Sequence, residues 1–206
     1  MPNYTKSTKQ KTQETGFTLR IYSALTTQKT KERSTGGISF TVLSKSEKGV
    51  GSGVAVFTGK LLAEQLKFKL ENRCSNNQAA QLAIVKALEV IEMQLVKKNE
   101  PGRAVICTDS KITLDSIMSA KNHEHLVEKI RKRPVTLNWK IKFKWVKAHA
   151  GIYGNGNADR LANEATQNHY VTYSRIAKSA IKKEAREESI RKWQNQREET
   201  TKGAIT

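Results

Sequence analysis

Three side chains with chemistry to offer stand where the local sequence pattern changes. Asp109 follows Ala104 to Thr108, a short and nearly all-apolar run. His149 and Asp159 follow a segment in which Trp139, Ile141, Phe143 and Trp145 alternate strictly with Lys140, Lys142 and Lys144. An imidazole exchanges protons near neutral pH, and a carboxylate serves as a base or a cation ligand. Strict alternation is the period of a half-buried strand with one polar, here basic, face. The apolar run reads as a strand buried on both faces. Strands that deliver an aspartate and a histidine to their carboxyl ends make a candidate active-site edge.

Other elements must position these groups. Ile38 to Leu43, Val50 to Phe57 and Leu66 to Leu70 read as three strands joined by tight turns at Ser46–Gly49 and Gly59, an antiparallel meander. Gly51 and Gly53 inside the second strand point to close backbone packing. Ser75 is placed to cap a long helix over about 77–97, whose inward stripe is Ala80, Ile84, Ala87, Leu88, Ile91 and Leu95. Helices are expected over about 110–120, over 125–133 with a stop at Pro134, over 154–165, and over 176–199 in a charged tail. The order βββ-α-β-α-α-β-α implies an α/β layer fold, a mixed five-stranded sheet with its first three strands antiparallel and helices on both faces. Residues 1–35 are expected to form a poorly ordered basic, Thr-rich lead-in with one short strand, 36–166 the domain, and 167–206 a basic linker and charged helix.

The 206 residues carry 37 Lys and Arg against 19 Asp and Glu, a formal charge of +18. The excess runs through all three regions, so the folded part itself should project a positive field. Nucleic acid is the partner such a surface fits, through phosphate neutralisation and counterion release; a solubility charge or an acidic protein partner is the alternative. Cys74 and Cys107 have no disulfide or metal-ligand spacing and read as small buried residues of a reducing compartment. No apolar run approaches the ~20 residues that span a bilayer. The N-terminal stretch lacks the hydrophobic segment of a secretory signal, so an intracellular chain is expected, nucleus and cytoplasm undistinguished.

Cys107-Thr108-Asp109-Ser110, then His149-Ala150-Gly151-Ile152-Tyr153-Gly154-Asn155, then Ala158-Asp159-Arg160-Leu161-Ala162 resemble the motifs of a type 1 ribonuclease H domain. More narrowly, with Cys74-Ser75-Asn76-Asn77-Gln78-Ala79 and the tail from Arg191 to Gly203, the chain resembles the domain carried by non-LTR retrotransposon polyproteins. The resemblance covers 36–166 closely and 167–206 loosely. It implies a ribonuclease H-like fold and two-metal hydrolysis of the RNA strand of an RNA–DNA hybrid, with Mg²⁺ or Mn²⁺ held by four carboxylates. The partners it implies are an RNA–DNA hybrid or duplex and the reverse transcriptase domain of the same polyprotein.

Carried over residue by residue, the resemblance assigns catalytic and metal-binding roles to Asp109 and Asp159 and a proton-transfer role to His149. It assigns nucleic-acid contacts to Lys45, Asn77, Gln78 and Asn155. The other two acid positions are substituted, by Val42 on the first strand and Ala80 on the first long helix, and Gly156 replaces a loop glutamate. Weak or absent metal binding and impaired cleavage are therefore expected. A catalytically silent hybrid- or duplex-binding module and a decayed element fragment are the alternatives.

Simpler readings stand beside these. Asp109 could serve a helix dipole and Asp159 a solvated helix face. The aromatic side of Trp139–Trp145 is expected in the core, and its lysine side fits a solvated face and a phosphate track equally well. His123 and His125 read as surface histidines.

Overall fold

The computed structural model describes residues 21–23, 37–46, 49–96, 103–136, 140–148, 150 and 152–203. Seven strands are β1 (Ile21–Ser23), β2 (Gly37–Ser46), β3 (Gly49–Thr58), β4 (Leu61–Leu70), β5 (Arg103–Thr108), β6 (Lys140–Trp145) and β7 (Val171–Tyr173). Five helices are α1 (Asn76–Val96), α2 (Lys111–Met118), α3 (His125–Thr136), α4 (Tyr153–Ala165) and α5 (Lys178–Gly203). The strands form one mixed sheet in the order β1-β6-β5-β2-β3-β4-β7. As expected, β2, β3 and β4 are antiparallel neighbours. The remaining pairs are parallel.

The expectation of five strands is corrected to seven. The two additional strands, β1 and β7, are three residues each and lie at opposite edges of the sheet; β1 falls in the lead-in where one short strand was expected, and β7 was not expected. Three residues are too few to establish a period-2 pattern, so pairing with β4 rather than local sequence defines β7, while β1 joins the sheet by pairing with β6. Strand β4 also starts earlier than expected, at Leu61, because a register shift at Val56/Phe57 breaks its alternation. A one-residue slip sends side chains to the opposite face. Leu62 accordingly packs with one core cluster while Leu66 and Phe68 pack with the other. Helix α3 runs past the expected stop at Pro134 to Thr136; a proline removes only its own N–H bond, and near a helix end that loss is tolerated.

β3 separates two cores. Val50, Val54 and Val56 face the larger one, built with α1 residues Ala83, Ile84, Ala87, Leu88 and Ile91, all buried. On this side the Ser52 hydroxyl donates to the Ala79 carbonyl at 2.9 Å. The intervening residues Gly51, Gly53, Ala55 and Phe57 face α4. A Cβ on Gly51 would lie 2.0 Å from the Ala162 carbonyl oxygen, and one on Gly53 would lie 2.1 Å from that of Ala158. The glycines thus let the α4 backbone rest directly on the strand, with Ala158, Leu161, Ala55 and Phe57 forming the smaller core. Helices on both faces follow from this alternation.

Polar groups close the element ends. Ser75 and Gln78 form a reciprocal capping box at the start of α1: Gln78 N–H donates to Ser75 Oγ at 3.1 Å, and Ser75 N–H to Gln78 Oε1 at 3.0 Å. At the α2–α3 junction Arg131 donates to the carbonyls of Ser116 (3.1 Å), Ile117 (2.9 Å), Asn122 (2.6 Å) and Ser119, and to Glu128. One guanidinium thereby satisfies the carbonyls that α2 leaves open at its C-terminal end. Beyond α4 the chain returns to the sheet: Glu71 N–H donates to Tyr173 O at 2.9 Å, and Gln78 Nε2 to Arg175 O at 2.8 Å. Helix α5 then extends into solvent, tied by an Arg73–Glu184 ion pair. Among the described residues no helix is long and apolar enough to cross a membrane.

Two outcomes test this packing. Gly53→Ala meets backbone rather than a movable side chain, so it should destabilise by about 3 kcal/mol, the upper end of overpacking costs; an unchanged urea midpoint would contradict the close approach of α4. Arg131→Ala should cost about 2–3 kcal/mol by orphaning several carbonyls. Arg131→Lys should recover little of this, since an ammonium lacks the planar fork. Full recovery in thermal unfolding would show that charge alone suffices.

Candidate active site

The site assembles from strand register. β2 and β5 pair in parallel with Thr41 opposite Thr108, so Val42 and Asp109 each lie one residue farther along adjacent strands. Val42 is also the register partner of Gly53 on β3. The Ala158 carbonyl sits over Gly53, and Asp159 is the next residue of α4. The start of α1 approaches from the opposite face through the Ser52–Ala79 bond, one residue before Ala80. Val42 thus lies beside the Asp109 strand end and next to the Gly53–Ala158 contact that precedes Asp159, while Ala80 follows the Ser52–Ala79 contact on the opposite face of the sheet. The side chain of Val42 and residue His149 lie outside the described residues, as do Trp139 and the side chain of Lys45.

Asp109 is half-buried in the loop after β5, directly before Ser110, the N-cap of α2. Its backbone is held from two sides. Trp145 Nε1 donates to the Asp109 carbonyl at 3.0 Å, and Val146 N–H donates to Thr108 O at 2.9 Å. Ser110 Oγ accepts from Thr113 N–H at 3.3 Å, while Ser110 N–H donates to Thr108 Oγ1 at 3.3 Å. The aromatic side of β6 is core as expected for its described residues, with Phe143 and Ile141 buried. Trp145 also serves the loop, a role the alternation pattern did not reveal because indole polarity is invisible to hydropathy.

Asp159 is half-buried on α4 and lines an open cleft of about 440 Å³ together with Tyr153, Asn155, Gly156 and Arg160. Arg160 is engaged along its own helix by Glu164 and reaches Gln65 at 2.9 Å. Ala80 is only 1% exposed. A methyl group therefore packs in a nearly water-free place where a carboxylate was expected from the resemblance.

The residues given nucleic-acid contacts fall into different settings. Asn77 is half-buried, and its Oδ1 accepts from the Thr113 hydroxyl at 2.7 Å, tying α1 to α2. Gln78 is buried, with its amide divided between the Ser75 cap and the Arg175 carbonyl. Asn155 is buried in the first turn of α4, and among the described residues its Oδ1 has no hydrogen-bond partner. The Ser75-x-x-Gln78 spacing is the signal that identifies Gln78 as a cap. The Thr113–Asn77 link joins distant segments and leaves no local pattern.

Among the described residues no three His, Cys, Asp or Glu side chains gather as a metal site. Two carboxylates, Asp109 and Asp159, do not make the donor set that a pair of hard divalent ions requires. Both cysteines are buried thiols. Burial pushes the Cys107 thiol up to about 11, against the pull of the neighbouring Lys144 charge, so it offers no thiolate at neutral pH.

The RNase H family model matches residues 38–167. No curated protein matches significantly. The match runs from β2 through the end of α4, and thus spans every element that builds the site. RNase H proteins are nucleic-acid hydrolases that act on RNA–DNA hybrids and typically use divalent metals. A mixed sheet led by an antiparallel meander, with α1 on one face and α4 on the other, fits that match throughout, and the chain belongs to the RNase H family.

Proposed function

We propose that this chain is an RNase H domain of a non-LTR retrotransposon polyprotein that binds RNA–DNA hybrid or a related duplex, with its hydrolytic step strongly reduced. What supports this reading is the placing of Val42 beside the Asp109 strand end and next to the Gly53–Ala158 contact before Asp159, so that of the four acid positions the resemblance assigns only Asp109 and Asp159 hold carboxylates. Val42 and Ala80 supply no oxygen ligand. Metal stabilisation of phosphate chemistry is worth several kcal/mol, and each ~1.4 kcal/mol is tenfold in rate. Loss of two ligands should then cost at least about three orders of magnitude.

Binding depends on different physics. The +18 net charge supports attraction to a polyanion whatever happens to the metal ligands. The block Cys74–Ala79 and the tail from Arg191 to Gly203 support the retrotransposon assignment. On that assignment the reverse transcriptase domain of the same polyprotein is the natural partner, inside the cell.

The Val42→Asp, Ala80→Glu double variant tests the reading. It should cleave a labelled RNA–DNA hybrid in Mg²⁺ or Mn²⁺, where the parent chain scarcely does. A glutamate at position 80 enters a buried site, and an unpaired buried carboxylate is costly. The variant should therefore unfold at lower temperature without metal and gain more from Mg²⁺ than the parent. Equal cleavage by both proteins would refute the impaired-site reading.

A further inference from the structure

A chain of hydroxyl groups links the Asp109 loop to α1, and it has a direction. Thr113, in the first turn of α2, is fully buried. Its hydroxyl lies 2.7 Å from Asn77 Oδ1 and 2.8 Å from Ser110 Oγ. A threonine hydroxyl carries one proton, and an amide oxygen carries none. The proton of Thr113 therefore goes to Asn77, and Ser110 donates its own to Thr113. The 2.7 Å length fits an O–H···O bond, whereas a bond from an amide N–H is typically about 2.9–3.0 Å. Ser110 Oγ in turn accepts the Thr113 N–H at 3.3 Å, so both hydroxyls act as donor and acceptor.

This chain turns the Asn77 amide in one sense. Oδ1 is held inward, which leaves Nδ2 as the outer end. Among the described residues Nδ2 donates to no group, and the buried side-chain atoms without partners belong only to Gln81 and Asn155. Asn77 is half-buried, so its unbonded Nδ2 faces solvent. Asn77 thus offers two N–H donors and withholds its acceptor. An asparagine without such a partner presents either end.

We propose that Thr113 is a positioning residue whose hydroxyl locks Asn77 with its donors outward, so that Asn77 binds a hydrogen-bond acceptor on the nucleic acid. The inference rests on the nucleic-acid reading above, in which Asn77 is a contact, and adds what sets the sense of that contact. Packing does not account for the hydroxyl, since valine has nearly the same shape, and a buried hydroxyl is costly unless it is bonded. Ser110 directly follows Asp109, so the same chain ties the Asn77 contact to the loop that carries the carboxylate.

Affinity for a labelled RNA–DNA hybrid, measured by anisotropy in a double-variant cycle, tests the assignment. Thr113→Val should weaken binding about 3- to 10-fold, the range of one net hydrogen bond. Thr113→Ser, which keeps the hydroxyl, should bind like the parent. Asn77→Ala should weaken binding at least as much as Thr113→Val, and adding Thr113→Val to it should cost nothing further. The slope of log K against log salt should stay constant throughout, because no cation is removed. Thermal unfolding checks that each variant is folded, and Thr113→Ala, which also lacks the hydroxyl, serves if the valine variant does not fold. Equal losses from Thr113→Val with and without Asn77, or a loss that serine does not rescue, overturn the positioning role. Parent affinity in Asn77→Ala overturns it too, while leaving hybrid binding intact. No hybrid binding by the parent chain overturns both readings.

Discussion

The arrangement of this domain depends on how closely α4 lies against β3. Two glycines on one face of that strand leave no side chain between strand and helix, and α4 answers with Ala158 and Ala162 at the points of contact. Any Cβ there would sit about 2 Å from a carbonyl oxygen, far inside van der Waals distance. Because β3 also turns valines toward α1, it fixes both layers at once. Asp159 is carried to the site by this contact, since it follows the residue whose carbonyl covers Gly53. The same row of the sheet runs from Gly53 to Val42, one step from the Asp109 strand end. Position in the site is thus set by backbone packing rather than by attraction among the site's own charges.

Polar closures at element ends hold the rest. Arg131 gathers carbonyls from the end of α2 and the following turn, and so fixes the angle between α2 and α3. Gln78 does comparable work at the start of α1, where one amide caps the helix and receives the returning segment after β7. The second closure lies beyond the span matched by the family model, which ends at residue 167. Residues 171–175 consequently add to the domain: a further strand on the β4 edge and a lock on α1. An edge strand of three residues also limits the exposed pairing surface of the sheet.

Much of this was legible in sequence because the relevant signals were local. The alternation of β6, the apolar run of β5 and the inward stripe of α1 each announce one element and its buried side. Gly51 and Gly53 announce a close approach, though not its partner, which is named only by tertiary packing. The edge strand β7 was illegible for the opposite reason, since three residues carry no period, whereas β1 falls where one short strand was expected. Arg131 was hidden among Lys129, Lys132 and Arg133, where another cation reads as part of a solvated face. At the site, strand ends and motif spacing pointed to Asp109 and Asp159, while the burial of Gln78 and Asn155 depends on segments remote from them in sequence.

The separation between what holds the site and what fills it has a consequence for substitution. Clustered carboxylates repel one another and raise each other's proton affinity unless a cation compensates them. A site held together by such charges would collapse or open when they are exchanged for apolar groups. Here the frame comes from glycine–helix contact and two apolar cores, so it does not depend on acids at positions 42 and 80. Hydrolysis depends on a few oxygen atoms at fixed distances, whereas attraction to a polyanion depends on many cations and falls off only over a Debye length of about 8–10 Å. On the proposed reading, exchange of two acids would remove catalytic atoms and make the positive field stronger. Cleavage and binding would then respond in opposite directions to the same two residues.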